Sequence, residues 1–133
     1  MPPELAEIRR WVVKAQRDRL MAEAGLAQTP PITDAAAFHC QQAVEKLLKA
    51  YLVFREDEFE KIHDLEPLAD RCAQHDPSFA PLGTRVDALT PFAVRFRYPG
   101  PADPTVDQIR EALTVVEEVW DFVLQRLPDE VRP

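Results

Sequence analysis

Gln42, Glu45 and Lys49 recur at steps of three and four, with Lys46 just to one side. On a helix that spacing puts the side chains next to one another on one surface. An amide, a carboxylate and two ammonium groups so placed can hold a polar or anionic ligand. They can also form a solvated face whose Glu45–Lys49 pair contributes only a few tenths of a kcal/mol. Phe38 and Val53 fall on the same side, and the apolar arc opposite is broad, so the spacing points to a groove lined by Gln42, Glu45 and Lys49. Asp18 poses a related problem, because Trp11, Ala15, Asp18 and Ala22 share one face of the preceding helix. An unpaired buried carboxylate is costly, so an inter-helix ion pair from Asp18 to Lys46 or Lys49 is expected.

Other chemistry-bearing residues are sparse. His63-Asp64 stands just before a third helix and reads as a cap and loop anchor. Arg95, Arg97, Tyr98 and Gly100 cluster before the last helix. There a guanidinium suits phosphate, a phenol ring can stack on a base, and a helix N-terminus attracts anions. Arg97 can equally pair with a carboxylate and close the loop. His39, His63 and His75 form no His-x-x-x-His or Glu-x-x-His pattern, and Cys40 and Cys72 form no Cys-x-x-Cys. Neither a metal site nor a cofactor is expected. Ser78, the only serine, lacks a Gly-x-Ser-x-Gly setting, and three glycines leave no phosphate-cradling loop.

Helices must position these groups. Leu5, Ile8, Val12, Ala15, Ala22 and Leu26 mark a first helix over about 4–25, with Arg19 interrupting its stripe. A second, over about 34–54, carries Cys40, Val44, Leu47, Leu48, Tyr51 and Leu52, widened by Ala36, Ala43, Ala50 and Phe54. Its apolar arc covers about 200°, twice what a peripheral helix needs, so it packs against several neighbours. Thr33 or Asp34 is its expected N-cap, and Asp64 that of a third helix over 65–75. Leu82 to Phe96 continue at helical spacing but are kinked at Pro91, with Thr90 as a cap. Thr105 and Gln108 form a capping-box signature opening a last helix over about 106–127, with Ile109, Leu113, Val116, Trp120, Val123 and Leu127 facing inward. No segment alternates long enough for a strand. The fold class is all-α: an up-and-down four-helix bundle with one or two short extra helices, in a single domain over 1–133.

The 133 residues carry a net charge of −7, which argues against non-specific binding to a DNA duplex. Two cysteines within helices read as reduced thiols, and no apolar run approaches the roughly 20 residues that span a bilayer. Without a signal segment, the cytoplasm is the expected location.

The run from Ala37 to Ala50, AFHCQQAVEKLLKA, resembles the signature helix of HEPN domains (higher eukaryotes and prokaryotes nucleotide-binding). Trp11, Ala15, Asp18 and Ala22, then Ile62-His63-Asp64-Leu65, then Arg97-Tyr98-Pro99-Gly100 agree with that family in order and spacing. The resemblance implies a stand-alone prokaryotic helical bundle, a homodimer, and a minimal nucleotidyltransferase partner in a toxin–antitoxin-like or nucleotide-handling pair. Gln42, Glu45, Lys46, Lys49, His63, Arg97 and Tyr98 then become the expected ligand-binding set, for a nucleotide or RNA. The family's metal-independent ribonucleases carry an arginine followed, after four to six residues, by a histidine. No arginine near the last helix is followed by one: Arg95 leads to Gly100, Pro101 and Ala102, and Arg97 to Ala102, Asp103 and Pro104. The expectation is therefore a non-catalytic binding module. The alternatives are a ribonuclease using Arg97 and His63, and a dimeric structural adaptor.

Overall fold

In a computed structural model, residues 1–59, 62–93, 99 and 102–133 are described. Five α-helices and no strand occur among them: α1 (Pro3–Leu26), α2 (Thr33–Phe54), α3 (Leu65–His75), α4 (Leu82–Asp87) and α5 (Val106–Leu124). Short 3-10 turns follow α3, α4 and α5.

The broad apolar arc of α2 makes it the centre of the bundle, in contact with α1, α3 and α5. Cys40, Val44, Leu47, Leu48 and Leu52 are fully buried, and Tyr51 nearly so. Phe54 is the exception at 36% exposed, because it sits where α2 runs out of neighbours. The most extensive pairing is α1 against α2, and it is antiparallel. Gly25 meets Ala36, Asp18 meets His39 and Lys46, and Trp11 lies over Lys49. Gly25 permits the close start of this pairing: a Cβ there would stand 3.1 Å from the Ile32 carbonyl oxygen and 3.5 Å from the Ala36 Cβ. The gap in the α1 stripe is filled by Asp18, buried between Ala15 and Ala22, while Arg19 turns aside to Glu23 at 3.2 Å.

Several expected ends differ. The helix α2 begins at Thr33, with Ile32 at the cap position, and neither Thr33 nor Asp34 caps it; the Asp34 carboxylate instead accepts from the Ala35 N–H at 2.9 Å. Asp64 occupies the cap position of α3 without a side-chain cap bond, since Pro67 at the third helical position has no N–H to offer; the Leu65 N–H donates instead to the Thr90 hydroxyl at 3.2 Å. Thr90, expected as a cap, is itself the first residue of the 3-10 turn after α4, and its hydroxyl accepts this tertiary bond. The kink is displaced: α4 ends at Asp87, and a 3-10 turn spans Thr90–Ala93. Residues 94–96 lie outside the described residues. Thr105 and Gln108 form the reciprocal capping box, at 3.1 and 2.8 Å. The helix they open stops at Leu124 rather than 127, and its inward face is rotated. Ala112, Val119 and Leu124 are buried, whereas Leu113 and Trp120 lie at the core's margin. Trp120 there receives the Arg19 guanidinium 5.9 Å from its ring centre. Arg126 lies 3.4 Å above the Phe122 ring centre and reaches Asp76 at 3.0 Å, tying the end of α5 to the end of α3.

Candidate functional site

The polar residues of α2 divide between two neighbours. His39 and Lys46 stand two turns apart, on the side facing α1. The His39 Nδ1 lies 2.8 Å from Asp18 Oδ1, and the Lys46 ammonium donates to Asp18 Oδ2. Lys46 is thus the cation of the inter-helix pair, and Lys49 is not. About 100° round the helix from Lys46, Glu45 is the hub of a second cluster. Its Oε2 accepts from the Lys49 Nζ at 3.3 Å, and its Oε1 lies 3.5 Å from the His63 Nδ1.

Gln41 binds the two ends of this cluster together. Fully buried, it donates to Glu45 Oε1 at 3.4 Å and to the His63 carbonyl at 3.1 Å, while its own oxygen accepts from the Gln42 amide at 2.7 Å. The anchor expected at His63 is therefore its backbone carbonyl. Its ring remains 66% exposed at the edge of the cluster. Lys49 lies beneath an aromatic lid, its Nζ 5.8 Å from the Trp11 ring centre and 5.6 Å from that of Phe59. Those two rings meet edge to face at 6.1 Å. An ammonium over a ring face is favourable, more so where water is excluded.

Burial changes what the stripe is. Glu45 and Lys49 are only 5% and 6% exposed, so their pair is internal rather than a solvated surface pair. Among the described residues, no buried side-chain nitrogen or oxygen lacks a partner. A fully satisfied buried network is rigid, and removing one member strands the others. Accessible at its margin are the ring of His63 and, partly, Gln42, Lys46 and His39. Arg97 and Tyr98 lie outside the described residues.

Sequence reasoning missed three participants here. Gln41 and His39 carried a usable signal: His39 lies seven residues before Lys46, on one helix face, and Gln41 lies four before Glu45. Phe59 carried none.

A second constellation went unread. The helix α2 ends in a Schellman motif, with the Glu56 N–H on the Val53 carbonyl at 3.0 Å and the Asp57 N–H on that of Leu52 at 2.9 Å. Glu56 takes the left-handed position, φ 56°. The turn aims Asp57 at α3, where Arg71 donates to its carboxylate through Nε, at 3.3 Å, and Nη2. The His75 Nε2 stands 2.7 Å away. The hydrogen bonds from Arg71 and then His75 hold the Asp57 carboxyl below its usual range.

Neither cysteine thiol is activated by its surroundings. Burial pushes the Cys40 thiol up to about 12 and raises that of Cys72 as well, so both stay protonated at neutral pH. Both are free thiols. Among the described residues no group of three or more His, Cys, Asp or Glu is placed to hold a metal ion, and no helix is long and apolar enough to cross a membrane.

The fold and the seam define an all-helical bundle in which polar residues of the central helix are locked against its neighbours. The model of the HEPN domain matches residues 8–127, and the chain belongs to that family. Among solved structures it is similar to TT1696 from Thermus thermophilus, at 24% identity and a TM-score of 0.79 over 90% of this chain and 98% of that one. At that identity the likeness is one of fold. No curated protein matches the chain.

Proposed function

We propose that this HEPN protein is a non-catalytic module that binds a nucleotide or an RNA end, acts as a homodimer, and serves a minimal nucleotidyltransferase in the cytoplasm. The observation that carries this reading is the closed network at the α1–α2 seam. The charged groups inside it are already committed to one another: Asp18 to Lys46, and Glu45 to Lys49. Groups so committed position a surface and are poorly placed to exchange protons with a substrate. The surface they position has donors at its edge: the Gln42 amide, the Lys46 ammonium and the exposed His63 ring. Arg97 and Tyr98 supply the phosphate fork and the stacking ring in this reading.

Calorimetry with ribonucleotides and short RNA, together with co-purification with a nucleotidyltransferase, tests the proposal. His63→Ala and Arg97→Ala are expected to weaken nucleotide or RNA binding tenfold or more without changing the melting temperature. Lys49→Ala is a poor probe, because it breaks the buried pair. Absence of binding to nucleotide, RNA and nucleotidyltransferase by the wild type overturns the reading. One observation favours the rival ribonuclease: an exposed histidine 3.5 Å from a carboxylate can act as a general base. RNA cleavage by the wild type, lost in His63→Ala, would establish that rival.

A further inference from the structure

The outer face of α1 is unlike the rest of this acidic chain. Arg9, Arg10, Lys14 and Arg17 are exposed on it and make no ion pair among the described residues. At 100° per residue they fall within an arc of about 140°. Every other residue of α1 on that arc is apolar: Pro3, Ala6, Val13, Leu20, Met21 and Ala24. The arc holds no carboxylate and no uncharged polar side chain; the nearest acidic residue of the helix, Glu7, stands just beyond its edge beside Lys14. Removing these four positive charges from the net −7 leaves −11 for the rest of the chain.

Large apolar side chains are exposed among these cations. Leu20 and Met21 are each 55% exposed, and Met1 is 65% exposed. With Ala6, Val13 and all four cations, Met1 lines an open hollow of about 450 Å³. The opposite side of α1, with Ile8, Val12, Ala15 and Ala22, is buried in the bundle, so this outer face is free without any unfolding. Four like charges on one helix face repel one another, and large apolar side chains among them gain nothing from water. Whatever completes the face must offer both anions and an apolar medium. A phosphate backbone answers the cations but leaves Leu20 and Met21 in water. An anionic bilayer answers both, with phosphates at its surface and acyl chains just beneath.

We propose that the outer face of α1 docks the protein on an anionic phospholipid surface, with the helix lying in the plane of the membrane. The four cations meet lipid phosphates, their aliphatic stems lying along the apolar residues between them. Val13, Leu20 and Met21 enter the boundary between headgroups and acyl chains. The helix is about 36 Å long, so its outer face offers an extended contact rather than a single anchor. The same surface repels the strongly acidic remainder of the chain, which orients the bundle with α1 toward the bilayer. Each cation near an anionic leaflet contributes about fivefold in affinity, and that share falls as salt screens it. Asp18 and its partners lie outside the arc, so docking leaves the α1–α2 network closed. The proposal is therefore independent of the ligand reading above.

Co-sedimentation with large unilamellar vesicles tests this. Wild type is expected to bind vesicles of phosphatidylcholine and phosphatidylglycerol in equal parts, and to release them progressively as salt rises. Vesicles of phosphatidylcholine alone should not bind. Arg10→Glu/Lys14→Glu should lower the partition coefficient at least tenfold, and Leu20→Gln/Met21→Gln at least fivefold. All four positions face solvent, so both variants should keep the wild-type melting temperature; Arg9→Gln/Arg17→Gln replaces the charge reversal if that variant does not fold. A wild type that does not bind the anionic vesicles overturns the proposal, as does equal binding to the neutral ones. Anionic-vesicle binding that either double variant retains overturns it too, because the lipid is then held elsewhere or by charge alone. Fluorescence anisotropy with a single-stranded RNA supplies the remaining arm. RNA binding without vesicle binding, lost in Arg10→Glu/Lys14→Glu but kept in Leu20→Gln/Met21→Gln, assigns the face to a polyanion instead.

Discussion

Asp18 and Asp57 are both carboxylates held by one histidine and one long cation, yet they occupy different kinds of place. Asp18 projects from the middle of α1, and its partners His39 and Lys46 come from the middle of α2. Asp57 sits on the turn that ends α2, and its partners Arg71 and His75 are one turn apart on α3. The first cluster therefore ties two long helices at mid-length, within the most extensive helix pairing of the bundle, and Lys46 is 23% exposed against 34% for Arg71. The second pins the end of one helix to the side of a short one, where a freed Arg71 can turn toward solvent. Similar ingredients should therefore contribute unequally to stability.

Asp18→Ala is expected to have the larger effect, lowering stability by about 2–4 kcal/mol, because it removes the acceptor shared by Lys46 and His39. Urea denaturation measures this, and a loss within about 0.5 kcal/mol, typical of surface sites, would show the cluster to be solvated. Asp57→Ala should cost less, about 1–2 kcal/mol, since partial exposure discounts a charge-assisted pair. It carries a pH signature as well. The folded-state carboxyl lies below its usual 3.8, so the stabilisation is complete above about pH 4 and disappears as pH falls through the folded value. Melting temperatures should decline on the acid side in wild type, and Asp57→Asn should remove part of that decline. An unchanged acid limb would mean that other carboxylates carry it.

The two clusters also stand apart. Lys46 and Asp57 are about 15 Å apart along α2 and its turn, so the costs of Asp18→Ala and Asp57→Ala should add within about 0.5 kcal/mol. A larger departure would reveal coupling through α2. The smallest expected change is a gain. Glu56 holds a left-handed conformation that suits glycine, and Glu56→Gly should stabilise the protein by up to about 1 kcal/mol. A loss of stability there would show that the glutamate side chain has a role the turn alone does not explain.

Much of the fold was legible because helical periodicity reports burial directly. The arc from Cys40 to Leu52 marked α2 as the central helix, and the pairing of Thr105 with Gln108 located the start of α5. Local signals failed where a distant group competed. Thr90 resembled a cap, yet its hydroxyl serves the N-terminus of α3, 25 residues away. Leu113 and Trp120 had the spacing of core residues, but α5 turns Ala112 and Val119 inward instead. Rotation about a helix axis depends on the shape of the neighbours, which periodicity does not encode.

The polar seam shows the same division. By itself the sequence placed Gln42, Glu45, Lys46 and Lys49 on one side of a helix and required Asp18 to find a cation, since spacing sets the face and desolvation penalises an unpaired charge. Only the tertiary structure decided that Lys46, not Lys49, answers Asp18, and that Gln41 rather than Gln42 is the buried link. It alone brought Arg71 and His75 to Asp57, across 14 and 18 residues of chain. The reason is physical. A helix fixes the order and angle of its own side chains, but which of two neighbouring ammonium groups reaches a carboxylate depends on the offset and rotation of the opposing helix. Those are set by close packing of the whole core.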